Sequence, residues 1–179
     1  MSIDFNIVRT NLYNWAIQNL PSGMPVIYLY PNAPRPSVDY VSLYISNITQ
    51  VGWDWTQDPL DDTGISKMVG DREFIVQAQA YGGDPVTVLQ NLRTSLQKQS
   101  VLDSLRVNGI VFFNWGPISD ITELIDSRFE QRATMDIYFR IADLYNDNLG
   151  VINTVVLEEV YKNASGTIVY DQTFIIPPP

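Results

Sequence analysis

REFIVQAQAYGGDPVTVLQNLRTSLQKQSVLDSLRVNGIVFFNWG, residues 72–116, decides the fold. In its first ten residues Phe74, Val76, Ala78 and Ala80 fall on one side of a two-residue period, with Glu73, Gln77 and Gln79 on the other. That alternation predicts a half-buried strand. Gly82-Gly83 breaks it, and Asp84-Pro85 signals a helix start: the carboxylate caps free amides, and proline suits the first helical position. Val86, Leu89, Leu92 and Leu96 then recur at the spacing of one helix face. Arg93 and Lys98 lie toward the C-terminal end, where cations favour the helix dipole. A second helical start is read at Ser100, with Ser100 as cap, Leu102 and Leu105 facing inward, and Asn108-Gly109 as the stop. Ile110-Val111-Phe112-Phe113 is a continuous apolar run of strand formers and predicts an interior strand.

Upstream, Asp4 to Leu20 reads as an amphipathic helix with Phe5, Val8, Leu12, Trp15 and Ala16 on one side, stopped by Pro21-Ser22-Gly23. Met24 to Tyr30 is a strand candidate, and Asn32-Ala33-Pro34-Arg35-Pro36 a rigid turn. Val38 to Trp55 is a long strand candidate with Val41, Leu43, Ile45, Val51, Trp53 and Trp55 on one parity and Tyr40 and Tyr44 on the other. Thr56 to Gly64 is a turn-rich acidic tip, so its flanks, Asn47 to Trp55 and Ile65 to Val69, can pair as a protruding hairpin. Trp53 and Trp55 near that tip either pack on the core or stand out as anchors for a partner, a role in which tryptophan is enriched.

Downstream, Ser119 to Ile125 reads as a short helical turn opened by Ser119 or Asp120. The cleanest strand follows. Phe129, Ala133, Met135, Ile137, Phe139 and Ile141 share one parity, interrupted by Gln131, while Glu130, Arg132, Thr134, Asp136, Tyr138 and Arg140 share the other. One apolar and one mixed-charge face describe an antiparallel strand over a core, its outer face wet or meeting another subunit. Asn146 to Gly150 is a turn. Val151 to Tyr161 and Thr167 to Ile176 form two strands joined at Asn163-Ala164-Ser165-Gly166, either an arm for a neighbour's sheet edge or a local hairpin closing its own sheet. Pro177 to Pro179 cannot extend a strand and would protect that edge. The fold class expected is α+β: a mainly antiparallel sheet flanked by an N-terminal and a central helix, with a C-terminal β-hairpin extension.

The 179 residues, 45% hydrophobic and 12% aromatic, suffice for one domain with a real core. No apolar stretch approaches the roughly 20 residues of a membrane helix, and MSIDFNIVRT lacks the basic and apolar regions of a signal peptide. There is no cysteine and no histidine. Disulfides, thiolate metal sites, cysteine catalysis and any Ser-His-Asp triad are thereby excluded. A net charge of −9 argues against a general nucleic-acid binder and suits a surface that DNA passes without sticking.

Few chemistry-bearing groupings remain. Asp54, Asp58, Asp61 and Asp62 are the densest carboxylates, but their spacing lacks the calcium-loop pattern. A solvated acidic loop is the ordinary reading; a metal-dependent hydrolase or carbohydrate-binding module using the Trp53 to Asp62 loop is the functional one. Gly82-Gly83-Asp84 lacks the lysine and spaced glycines of a phosphate-binding turn. Arg128, Arg132 and Arg140, interleaved with Glu130 and Asp136, read as cross-strand ion pairs rather than an anion patch. No catalytic constellation, cofactor site or metal site is read.

In order, the chain offers a helix with Trp15, then Met24-Pro25-Val26-Ile27, then Phe74 through Tyr81-Gly82 into the helix Val86 to Lys98, and last FEQRATMDI, residues 129–137. Over roughly residues 1–145 this resembles the tail-terminator or neck-terminator proteins of tailed bacteriophages. The resemblance implies a small α+β domain over 1–145 that forms six-membered rings, caps the tail tube and joins it to the neck. It implies a virion protein of the tail–neck junction, assembled in the host cytoplasm and without enzymatic activity. The implied partners are further copies of itself, the tail tube protein, a neck, connector or stopper protein and the sheath protein, with no sequence-specific nucleic-acid binding. A tail-tube or connector component is the alternative within the same class. Glu130, Arg132, Asp136 and Arg140 would then meet a neighbouring subunit, and Trp53 and Trp55 a partner. Residues 146–179 depart from the shorter members and form a hairpin arm, part of the domain or an inter-subunit extension.

Overall fold

The computed structural model describes residues 3–29, 34–57, 63–125, 128–151 and 155–176. Asp58, Asp61 and Asp62 of the acidic tip, Asn32 and Ala33 of the rigid turn, and Pro177 to Pro179 lie outside the described residues. The chain forms two compact units, Met1–Trp55 with Met68–Tyr145 and Thr56–Lys67 with Asn146–Pro179. The fold is α+β, with a mainly antiparallel sheet and a C-terminal hairpin, as the alternation patterns predict.

In the first unit the helices are α1 (Phe5–Asn19), α2 (Pro85–Ser95) and α3 (Gln99–Val107). The strands are β1 (Val26–Tyr28), β2 (Tyr40–Thr56), β3 (Ile65–Tyr81), β4 (Val111–Trp115), β5 (Ser119–Asp120), β6 (Glu123–Ile125), β7 (Arg128–Glu130) and β8 (Arg132–Asn148), the longest running on into the second unit. The main sheet has the order β1-β2-β3-β8-β4, with β5 also paired to β8. β1 lies parallel to β2, β4 antiparallel to β8, and β6 and β7 form a small antiparallel pair.

Alternation and helical period meet in one core. Phe74, Val76, Ala78 and Ala80 of β3 and Ala133, Met135, Ile137 and Phe139 of β8 are buried together with Val8, Leu12, Trp15 and Ala16 of α1 and Leu89 and Leu92 of α2. Leu105 of α3 belongs to the same cluster, so all three helices cover one face of the sheet. The rings fix the contact: Phe74 stacks on Phe139 at 5.6 Å, Trp15 meets Phe139 edge-on at 6.3 Å, and Phe5 meets Phe74 edge-on at 6.0 Å. Trp15 Nε1 donates to Ser95 Oγ at 2.9 Å, which satisfies the indole inside the core. Asp4 caps α1 by accepting from Asn6 N at 2.8 Å, and Asp84 caps α2 by accepting from Thr87 N at 3.2 Å.

Several expectations are corrected. Val86 is 40% exposed; Pro85, Leu89, Leu92 and Leu96 form the buried stripe, because the helix begins at Pro85 and turns Val86 outward. α3 is preceded by Lys98 without a side-chain cap, so Ser100 lies inside the helix. The run at 110–113 is not an interior strand. Only Ile110 is fully buried, and β4 ends the sheet with Val111 and Phe113 exposed. β8 separates β3 from β4, so the strand–helix–strand unit is split by a strand from later in the chain. Ser119 to Ile125 is two short strands rather than a helical turn. Asp120 accepts from the amide and hydroxyl of Thr122 at 2.9 and 2.6 Å, a turn that shares its residue signal with a helix cap. Phe129 is 74% exposed on β7, since the chain breaks at Gln131, whose carbonyl accepts from Gly82 N at 2.9 Å. Asn146 to Asn148 continue β8 instead of turning.

The rotated face of α2 gives a direct check. Leu89→Ala should cost about 3 kcal/mol in urea unfolding, as buried leucine truncations do, while Val86→Ala should stay within about 0.5 kcal/mol. Equal losses would restore the face read from the spacing alone.

Candidate subunit and partner interface

The face of the sheet opposite the helices carries the expected mixed-charge residues, half-buried rather than free. Arg132, Asp136 and Arg140 stand on this face of β8, whereas Glu130 belongs to β7 beyond the break at Gln131. The ion pairs lie within the chain but with other partners than the interleaving suggested. Arg140 meets Glu73 of β3 at 3.1 Å and covers the Phe113 ring at 4.0 Å, while Arg132 meets Glu123 at 3.7 Å. Asp136 accepts from Gln77 at 3.4 Å. Arg132 and Arg140, eight residues apart on β8, are separated by about 26 Å at the strand rise. They belong to two ends of the face.

At the Arg132 end, Tyr40 and Tyr81 stack at 4.4 Å with their planes 5° apart. Arg35 lies over both rings, 5.5 and 4.9 Å from their centres, and also pairs with Glu130; Arg132 lies over Tyr81 at 5.0 Å. Both cations lie on the aromatic faces in addition to their carboxylate partners. Arg132 Nε and Thr134 Oγ1, neighbours on this face, are buried with no hydrogen-bond partner among the described residues. A donor left unmatched in this way is under-committed.

Trp53 and Trp55 are 93% and 54% exposed, which removes the alternative that they pack on the core. The cause is local. Asn47 and Gly52 adopt left-handed backbone, φ 49° and 73°, and interrupt the alternation of β2. Beyond them Asp54 takes the inward place and the tryptophans turn out. Asp54 accepts from both terminal nitrogens of Arg72 at 2.7 Å, from Gln50 at 3.0 Å and from Tyr145 Oη at 2.9 Å; Arg72 also meets Asp143 at 3.3 Å. Each Asp54 oxygen thus has two donors within this network. The Arg72 bonds, first of all, lower the Asp54 carboxyl from its ordinary 3.8 to about 2, and Arg72 is raised in turn. Gly70 makes room: a Cβ there would sit 2.2 Å from Arg72 Nη1 and 2.3 Å from Asp54 Oδ1.

The second unit holds β9 (Val155–Lys162) and β10 (Ile168–Ile176), an antiparallel pair forming a two-stranded sheet of its own. Asn163 Oδ1 accepts from Ser165 N and Thr167 N at 3.1 and 2.9 Å, and Gly166 supplies φ 82°, so the turn is locally specified. Yet eleven large apolar side chains on these strands are 40–68% exposed. Glu158 and Glu159 are adjacent and point to opposite faces.

Sequence reasoning found the charges of β8 but missed Arg35, Glu73, Glu123 and the Arg72 network. Glu73 and Arg140 carried a signal in their strand parity; Arg35 lies in a loop and carried none.

Asp54 has the lower pKa in the folded chain, so its contribution to stability is complete above its unfolded value near 4 and fades as pH falls toward 2. Asp54→Asn should therefore melt below the wild type at pH 7, and the gap should close between pH 4 and 2. A gap independent of pH would assign the loss to packing.

A family model described as phage neck terminator protein matches residues 6–169 of the chain, and a search of curated proteins finds no match. The matched length runs from α1 past residue 145, through β9 and into β10. On that coverage the chain belongs to the phage neck terminator protein family, structural components of the virion tail.

Proposed function

We propose that the chain assembles into a homohexameric ring that caps the tail tube and joins it to the neck or connector, with DNA passing through the lumen. The observation that carries this reading, beside the family, is the apolar hairpin β9–β10. A two-stranded hairpin alone is marginal in water, and contiguous exposed apolar surface marks an interaction site. The hairpin acquires its missing layer from other chains. The net charge of −9 supports a lumen that repels phosphate and lets DNA slide.

In this reading Arg132, Asp136 and Arg140 of β8, with Glu130 of β7, face a neighbouring subunit. Their present bonds are long or half-exposed and exchange readily for inter-subunit ones. Trp53 and Trp55 project as anchors for a different protein, the tail tube protein or a connector or stopper protein, and the sheath protein borders the ring. The role is structural and sits at the tail–neck junction of the virion, after assembly in the host cytoplasm.

Sedimentation velocity over a concentration series, with and without purified tails, tests the ring. The wild type should reach six times its monomer mass, and Arg132→Glu should shift the ring midpoint by about tenfold with little loss in melting temperature. A monomer under every condition, tails included, contradicts the reading. Trp53→Ala should leave stability within about 0.5 kcal/mol and ring formation intact while weakening attachment to tails; unchanged attachment would remove the anchor role.

A further inference from the structure

We infer that β9 of one copy adds to the open edge of β4 in a second copy, with Glu158 and Glu159 meeting Arg140 and Arg93. The inference rests on the ring reading and names the surfaces that make it.

β4 ends the main sheet and β9 ends its own, so each presents a row of backbone donors and acceptors toward its open side. Strand addition satisfies both rows at once. β4 carries no proline or lysine to discourage a partner, its Val111 and Phe113 are exposed, and its pairing with β8 shifts register between Phe112 and Asn114, so a partner strand must follow that irregularity. β9 offers eight residues, all exposed, long enough to span the five residues of β4.

Charge selects the pairing. Two guanidinium groups flank β4, one on each face. Arg140 lies 4.0 Å from the Phe113 ring centre on the outer face. Arg93, reaching from α2, lies 4.9 Å from the ring of Trp115, which stacks on Phe112 on the helix-covered face. β9 carries its two carboxylates on adjacent residues, hence also one on each face. A strand laid along β4 places one carboxylate with each arginine. β10 has a single acid, Asp171, and cannot supply both faces. In the free chain Arg140 shares Glu73 and Glu159 takes the Tyr161 hydroxyl, bonds that can be traded for the new ones.

Donor strand and acceptor edge are different surfaces of the same chain. Copies joined in one direction make a head-to-tail contact, the kind that a closed ring requires; reciprocal exchange of the same two strands would instead give a two-fold dimer, which sedimentation separates from six copies by mass.

Two full-length variants test it: Glu158→Arg with Glu159→Arg, and Arg93→Glu with Arg140→Glu. Each alone should raise the midpoint concentration of ring formation at least about 100-fold, since like charges face each other across every contact. An equimolar mixture should restore rings, with both chains present in equal number by native mass spectrometry. Arg93→Gln with Arg140→Gln guards against loss of fold and should give an intermediate midpoint at the wild-type melting temperature. Wild-type midpoints for both charge-reversed variants, while the wild type forms rings, would overturn the inference and give these strands to another protein. Failure of the mixture when both variants melt as the wild type does would overturn it too. A wild type that never forms rings, even with tails, sinks the ring reading itself and is recognised without any variant.

Discussion

Phe139 is the point on which the first unit turns. Its ring touches Phe74 of β3, Trp15 of α1 and Phe112 of β4, at centroid distances of 5.6, 6.3 and 6.1 Å. One residue thus ties the centre of the sheet to the N-terminal helix and to the edge strand. Rings packed edge-on and offset add to the large area each buries. Because β8 alternates strictly around Phe139, its even-numbered neighbours are forced to the face opposite the helix-covered core.

That asymmetry links packing to function. With all three helices on one side, the polar side of β3 and β8 satisfies itself laterally: Arg140 with Glu73, Arg132 with Glu123 and Tyr81, Gln77 with Asp136. Those bonds are long or partly exposed, so the face holds itself together only loosely. At the far end, Arg72 and Asp54 replace apolar contact with a hydrogen-bonded network, and beyond it the tryptophans turn outward. The hairpin in the second unit is the opposite case, locally well specified by its Asn163 turn but without a core of its own.

Much of this was legible in the sequence because alternation and helical spacing are local signals. Phe74 to Ala80 and Ala133 to Phe139 lie where their period puts them, and Asp4 and Asp84 cap the helices they precede. The failures have two sources, a partner distant in sequence that outranks the local pattern and a local backbone irregularity that shifts it. Phe129 keeps the parity of β8, yet the tie between Gly82 and Gln131 breaks the chain before it. The tryptophans keep the parity of Val41, yet two left-handed residues reset it. The run at 110–113 has the composition of an interior strand but lies at an edge, which strand order alone decides. Within the candidate interface the charges on β8 and the parity of Glu73 were readable, whereas the pairings were not, since Glu73 and Glu123 reach β8 from other strands and Arg35 reaches Glu130 from a loop.

The central claim is that the hairpin and the outer edge are assembly surfaces left open in the single chain. Amide hydrogen exchange, compared between the free protein and the protein in isolated virion tails, tests it most directly. The account predicts that amides of β9 and of β4 exchange quickly in the free chain and slow by at least about tenfold in tails, while the core amides of β8 around Phe139 do not change. Equal exchange of β9 and β4 in both states would contradict it, because strands that gain no partner on assembly cannot be what assembly is built on.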